Sequence, residues 1–358
     1  MKRMLLLVLA LFSLILAGGA YAADEGDIES SVHQESIARV ETVIYGAPGA
    51  GGMFMRLERI ERDLFGMELP GSLTERQQAL LTFVEDGTPT QPSLIFKIGV
   101  AEWITNTQVN PSQPLSDRMA VLEIALEGSP QMGALSARLE RILAKLLPSG
   151  VISTQATIPA STVIKANFAK TLTVRSVAQG DIVELNAAED YIVGGVLVIA
   201  RGNRVFGEVS SVRMPRSFGR PSEINIEFVE VETLAGRRAP VMLGPQSQRA
   251  FELDAGTAGA AGASIAGLAL LGPLGLAGGF LVRGSDRQIP EGTVMYVETK
   301  EAYTVAGYPT TGAPVSPAPS PVQAPTGGIS YSDPFAGQSP ADFVPIDGTQ
   351  VPPQSGNF

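Results

Sequence analysis

Apolar positions recur with two different periods along this chain, and the change falls near residue 150. Between residues 37 and 147 the pattern follows a set of arginines. Arg39-Val-Glu-Thr-Val-Ile-Tyr-Gly46, Arg56-Leu-Glu-Arg-Ile-Glu-Arg-Asp-Leu-Phe-Gly66, Arg118-Met-Ala-Val-Leu-Glu-Ile-Ala-Leu-Glu-Gly128 and Arg138-Leu-Glu-Arg-Ile-Leu-Ala-Lys-Leu-Leu147 are degenerate copies, and Arg76 to Val84 is a weaker fifth. Apolar residues stand one, four and often eight places after the arginine, as Leu57, Ile60 and Leu64 do. That spacing predicts short helices with one apolar stripe. Gly66 and Gly128 read as helix stops, and Ser72 as an N-cap. No such helix buries its stripe alone, so the copies pack on one another or on a partner; a plain helical bundle with chance similarity is the alternative. Between the copies, Ser93 to Thr105 is apolar and holds Trp103, the single tryptophan, which reads as core.

From Val151 the pattern becomes that of strands. Thr162–Ala166, Lys170–Val174, Ile182–Leu185, Gly195–Ile199, Val205–Val209, Glu223–Val229, Val241–Leu243 and Thr293–Thr299 are short, alternate in part, and are parted by Gly, Asp or Asn turns. This predicts an all-β barrel or sandwich. Its regularity is broken by Ala255 to Val282, a run of 28 residues without a charge, eight of them Gly and eight Ala. Apolar surface left in water is unfavourable, so the run is expected to be covered by the protein, by partner subunits or by lipid. As one helix it would reach roughly 42 Å, but Gly272-Pro273 interrupts it. Gly256, Gly259 and Gly262, then Gly272, Gly275 and Gly278, recur every three residues, and with Gly267 and Gly279 they allow close backbone approach. The run is therefore expected to be an oligomerisation or membrane element; a glycine-rich hairpin packed on the β domain and a loose loop are the alternatives.

Both ends of the chain bear on where this protein works. Lys2 and Arg3, the apolar Met4–Leu16 and Ala20-Tyr-Ala22 have the order of a secretory signal cleaved before Ala23. The apolar part is shorter than the roughly 20 residues of a membrane span, and with no cysteine in the chain a lipoprotein anchor is excluded. Loss of residues 1–22 moves the net charge from −10 to −12, which argues against a nucleic-acid partner. At the other end, 11 of residues 308–358 are Pro and none is Lys or Arg, a composition that cannot bury enough apolar area to order itself. Tyr331-Ser-Asp-Pro-Phe335 and Phe343-Val-Pro345 are small islands in it, read as solvated, with docking motifs as the alternative.

Candidate chemistry is sparse. His33 is the single histidine and reads as solvated, so no metal is expected. Gly46-Ala-Pro-Gly-Ala-Gly-Gly52 lacks the Lys-Ser or Lys-Thr of a phosphate loop and reads as a turn between helices. Glu189-Asp190 reads as a solvated turn. Arg213, Arg216 and Arg220 cluster in a Pro- and Gly-containing loop, where they either grip an anionic partner or ring a solvated hairpin tip. A hydrolase would need a carboxylate cleft, for which Asp181, Glu184 and Glu208 are the candidates. No catalytic residue and no cofactor is expected.

Four stretches, in order, give the β region a resemblance. Ile158-Pro-Ala-Ser-Thr-Val-Ile-Lys-Ala166, Ile199-Ala-Arg-Gly-Asn-Arg-Val-Phe-Gly-Glu208, Ile226-Glu-Phe-Val-Glu-Val-Glu-Thr-Leu-Ala-Gly236 and Ile289-Pro-Glu-Gly-Thr293 resemble the motifs of the C-terminal periplasmic domain of TrbI-like proteins. These are scaffold subunits of type IV secretion and conjugation machines. The likeness covers about 158–305, with Ala200 where that family has Pro. It implies a β domain whose apolar insertion oligomerises at the outer membrane. A cleavable signal, a helical repeat and a C-terminal proline-rich tail stand where that family has a cytoplasmic segment, an inner-membrane helix and a proline-rich linker.

The expectation is thus an α+β protein: signal peptide 1–22, polar lead 23–36, helical repeat 37–150, β-barrel-like domain 151–305 carrying the run 255–282, and a disordered tail 306–358. Its expected role is a non-enzymatic, exported envelope scaffold in the periplasm or at the outer membrane, self-associating and joined by other envelope proteins. The alternative is a soluble periplasmic module that binds a glycan or a peptide.

Overall fold

A computed structural model of the chain describes residues 25–88, 90–214, 222–260, 280–284 and 288–310. The signal sequence and nearly all of the proline-rich tail lie outside them. Six helices come first: α1 (Glu25–Tyr45), α2 (Met53–Phe65), α3 (Leu73–Leu81), α4 (Leu94–Asn106), α5 (Leu115–Glu127) and α6 (Leu135–Leu146). A π-helical turn, Thr82–Asp86, extends α3. The segment expected as a polar lead is the first half of α1, and Gly46–Gly52 is the turn from α1 to α2.

The periodic apolar positions are the ones that are buried, among them Leu57, Ile60 and Leu64 on α2, Met119 and Leu122 on α5, and Leu139 and Ile142 on α6. Gly66 and Gly128 end their helices with φ of 76° and 86°, left-handed values that a glycine adopts without strain. Ser72 caps α3 in a capping box with Glu75.

What repeats, however, is a three-helix unit. Arg56 and Arg118, Glu61 and Glu123, Gly66 and Gly128, and Arg76 and Arg138 each lie 62 residues apart. The first unit is α1–α3, the second α4–α6. Each holds two buried clamps of one design. A glutamate accepts a backbone N–H from the loop eight residues on, and pairs with an arginine in the next helix. The pairs are Glu41 with Gly49 and Arg56, Glu61 with Leu69 and Arg76, Glu102 with Asn110 and Arg118, and Glu123 with Gln131 and Arg138. Arg39, which opens the apparent repeat in the sequence, is exposed and pairs with Glu85 instead.

The β region is a closed barrel with a small sheet beside it. In the barrel, β2 (Val163–Phe168), β3 (Ile182–Ala187), β6 (Arg204–Arg213), β7 (Ser222–Glu232), β8 (Arg238–Met242) and β10 (Val294–Thr299) run in the order β6-β3-β2-β10-β8-β7, and β6 pairs with β7 to close the ring. Ile164, Ala166 and Phe168, Val183 and Leu185, Val205 and Val209, Ile226 and Phe228, Val241, and Met295 and Val297 fill it. The seam between β8 and β10 is short, with Glu298 opposite Met242 and Thr299 opposite Val241. β9 (Phe280–Gly284) adds to the part of β7 that β8 leaves open. The second sheet has the order β1-β11-β5-β4, from Thr154–Ile158, Tyr303–Pro309, Val196–Ile199 and Tyr191–Val193.

Three differences from the sequence expectation have local causes. Lys170–Val174 is a turn with a single bridge from Leu172 to Ile289. Thr173 and Ser176 exchange side-chain and backbone hydrogen bonds, which compete with a strand ladder. β11 continues through Pro309, four residues into the stretch expected as tail. Gly307 permits this, since a Cβ there would lie 2.5 Å from the Leu197 carbonyl oxygen. Finally, the expected run 255–282 is structured at both ends, in helix α7 (Pro245–Ala260) and in β9.

One face of α4 joins the core of the barrel, while the buried residues of the other helices, such as Leu57, Ile60, Leu122 and Ile142, lie outside that cluster. Phe96 and Val100 of α4 and Val109 after it pack in the same cluster as the barrel interior, with Leu234 and Ala235 between. Helix α4 is accordingly apolar on most of its surface, as a helix buried on two sides must be. Trp103 is half-buried at this junction; its Nε1 donates to Asp190 at 2.8 Å and its ring lies edge-on to Tyr308.

Candidate functional site

The uncharged run leaves and rejoins the barrel wall at a root built from α7, β10, β2 and β9. Tyr296 and Glu298 are two residues apart on β10 and so face the same side, outward under α7. Glu298 is 1% exposed and accepts the Ser247 N–H at 2.6 Å. A carboxylate at the first turn of a helix is favoured by the exposed N–H groups and by the helix dipole. Ser247 also closes the Gly244 turn, accepting from the Gly244 N–H and donating to its carbonyl. Glu298 thereby ties the end of β8 to β10 where their ladder is shortest.

Two turns along α7, Asp254 accepts from the Tyr296 hydroxyl at 2.8 Å and pairs with Lys165 at 3.3 Å. Lys165 stands opposite Tyr296 in register and its ammonium lies over that ring, 5.5 Å from the centroid. The Tyr296 hydrogen bond and the Lys165 charge hold the Asp254 carboxyl below its ordinary range. Tyr296 and Asp254 in turn raise Lys165 against the cost of its partial burial. The Lys165 backbone N–H donates to the Tyr191 hydroxyl, and burial pushes that phenol up to about 12.

After residues 261–279 the chain returns as β9, antiparallel to β7, with Val282 opposite Ile224 and Phe280 opposite Ile226. Of the glycines singled out from the sequence, Gly256 and Gly259 fall in α7. Gly262, Gly267, Gly272, Pro273, Gly275, Gly278 and Gly279 lie outside the described residues. So do Arg216 and Arg220; Arg213 ends β6, opposite Glu223.

Of the candidate carboxylates, one holds a turn and two stand on the outer barrel wall on the paired strands β3 and β6. Asp181 accepts the Ala178 N–H at 2.7 Å and holds a turn. Glu184 stands on the outer barrel wall 3.9 Å from Arg204, and Glu208 is exposed opposite Ile182. Among the described residues no group of His, Cys, Asp and Glu has a metal-binding arrangement. His33 lies in α1, where its carbonyl accepts from Gln77. Asp190, read from sequence as a solvated turn, instead receives the Trp103 indole and the Arg201 N–H. The buried Glu298 carried no sequence signal beyond being an acid inside a strand.

These features define an α+β protein with a six-stranded closed barrel and a helix-rooted apolar insertion. No protein-family model matches the chain, and no curated protein matches it. Among solved structures it is similar to ComB10 of the Com type IV secretion system of Helicobacter pylori, at 14% identity and a TM-score of 0.22, over 41% of this chain and 88% of that one.

Proposed function

We propose that this protein is an exported, non-catalytic scaffold of the cell envelope that self-associates through its glycine-rich insertion, at or near the outer membrane and in a secretion-related assembly. The observation that carries the reading is the anchoring of the run at both ends. Nineteen uncharged residues, 261–279, join a helix clamped to β10 and β2 to a strand paired with β7. A single crossing of a hydrocarbon layer about 30 Å thick would put its two ends on opposite sides. Here both ends belong to one barrel, which favours contact with a second copy or with a lipid surface over a single span. Among the described residues no helix is long and apolar enough to cross a membrane.

The test is the size of the detergent-solubilised protein with and without residues 261–279, a deletion that spares α7 and β9. A large oligomer that the deletion reduces to a monomer supports the reading. Two monomers of like stability would overturn it.

A further inference from the structure

The two three-helix units share a frame but differ where the first and second helices of each unit meet. In the first unit Tyr45 ends α1, gives its hydroxyl to Asp63 and lies under Arg59, whose guanidinium is 4.4 Å from the ring centroid. The loop that follows, Gly46–Gly52, has almost no side chains. In the second unit the places of Tyr45 and Arg59 are taken by Asn106 and Val121. Those shorter side chains leave a hollow of about 330 Å³ between α4 and α5, within the range of small-ligand sites.

Its walls have gained hydrogen-bonding groups over the same interval. The loop of the second unit is one residue longer, so the units match at a spacing of 61 before it and 62 after it: Ala47, Gly49, Gly51 and Met55 of the first unit correspond to Gln108, Asn110, Gln113 and Asp117 of the second, and all four line the hollow with Asn106. None of the four carboxamide side chains hydrogen-bonds to the described chain. The loop bearing them is nevertheless fixed. Val109 is buried, its N–H donates to the Arg201 carbonyl at 2.8 Å, and Gly202 lies so close to the Val109 carbonyl that a Cβ there would collide with it. Beneath, Glu102 holds the Asn110 N–H and Arg118. The pinned backbone spares a ligand the cost of ordering the loop, so only the side-chain rotamers have to be fixed on binding.

We propose that this hollow is a binding subsite for a neutral saccharide. Each carboxamide offers both donors and acceptors, which matches hydroxyl groups that also do both. The Arg118 charge is committed to Glu102, and Asp117 adds a negative one, so the hollow does not suit an anion. Val121 is the one apolar side chain in the lining, and the rest of its apolar surface is the carbon stems of the polar residues, an alternation that suits the C–H and O–H groups of a sugar better than a wholly apolar ligand. The subsite is independent of the glycine-rich insertion.

The test uses the full mature chain, titrated with maltose, cellobiose and N,N′-diacetylchitobiose while the side-chain carboxamide signals are followed by NMR. A disaccharide is expected to bind and to shift the signals of Asn106, Gln108, Asn110 and Gln113. Replacing Gln108 and Asn110 by Ala removes two hydrogen-bonding side chains and should weaken binding roughly tenfold or more. Asn106→Tyr with Val121→Arg rebuilds the lid of the first unit, leaves the other three amides in place, and should abolish binding. Circular dichroism checks that both variants are folded, as expected for exposed positions. No binding by any of the three sugars up to about 10 mM, where affinity would be negligible, overturns the proposal. So does binding that neither variant alters, or uptake of the neutral tripeptide acetyl-Ala-Ala-Ala-amide in place of the sugars.

Discussion

The strongest side-chain commitments in the helical half are the four glutamates that each serve one loop N–H and one arginine. Glu61 is fully buried, Arg76 is 8% exposed, and two of their hydrogen bonds are 2.5 and 2.9 Å long. Such a pair adds little over apolar packing, but removing one member strands the other. Glu61→Ala leaves the Arg76 charge and the Leu69 N–H without their acceptor. It should cost about 3–5 kcal/mol in urea unfolding, whereas Glu68→Ala, at the exposed Arg62–Glu68 pair, should leave the midpoint nearly unchanged. The clamps also set an acid limit. Burial alone would push the Glu41 and Glu123 carboxyls up, but Arg56 with the Gly49 amide, and Arg138 with the Gln131 amide, more than offset it and hold both below the ordinary range. A depressed folded-state pKa contributes stability above the unfolded carboxylate value of about 4.3. That stability is lost as pH falls through the folded value. The unfolding midpoint should thus be flat with respect to these groups near neutrality and fall below about pH 4, with a shallower fall in Glu123→Gln. The arginines were visible in the sequence because they lead each apolar stripe. Their partners were not, since each pair is 15 or 16 residues apart across a loop, and no helical period links the two positions.

Among the elements, α7 decides how firmly the glycine-rich run is rooted. Its two attachments differ in burial, and that difference orders their expected worth. Glu298 is buried, and its loss leaves the Ser247 N–H unpaired beside the short β8–β10 seam. Glu298→Ala should destabilise the barrel by about 1–3 kcal/mol, and hydrogen exchange should quicken at Ser247 and in β8 ahead of β2 and β3. The Lys165–Asp254 pair is partly exposed, so Asp254→Ala should cost no more than about 1 kcal/mol while freeing the last turns of α7. Faster exchange in β2 than in β8 upon Glu298→Ala would show that α7 does not close the seam. The six strands of the closed ring were legible in the sequence because one face is buried and alternates, as in β2, β3 and β7. Four strands were not. β4 has three residues, too few for a period. β1 alternates with small and polar residues, β11 carries Gly307 and Pro309, and β9 begins inside the uncharged run, where composition masked the pattern.

At the scale of the molecule, the change of period near residue 150 is a boundary in pattern that the packing does not respect. A helical region and a barrel with separate cores would unfold in two steps. Here α4 lends Phe96 and Val100 to the barrel's cluster, the loop after it inserts Val109, and Arg237 near the end of the β7–β8 turn pairs with Asp86 at the π-helical turn. The apolar character of Ser93–Thr105 was the sequence's sign of this. What it covers depends on Leu234, Ala235 and Tyr308, residues more than 120 positions away. Trp103, the single tryptophan, sits at the junction and so reports on it without a label. Urea unfolding followed by Trp103 fluorescence and by far-ultraviolet circular dichroism should give one coincident transition, the signature of a cooperative unit. Residues 151–310 expressed alone would expose the surface that α4 covers, and should be less soluble and less stable than the same residues in the whole chain. Separate transitions, together with a stable isolated barrel, would mean that the shared core is a contact between two independent domains. Coincident transitions would make the helical units part of the barrel's own stability. The insertion's root and the hollow beside α4 would then belong to one cooperative unit.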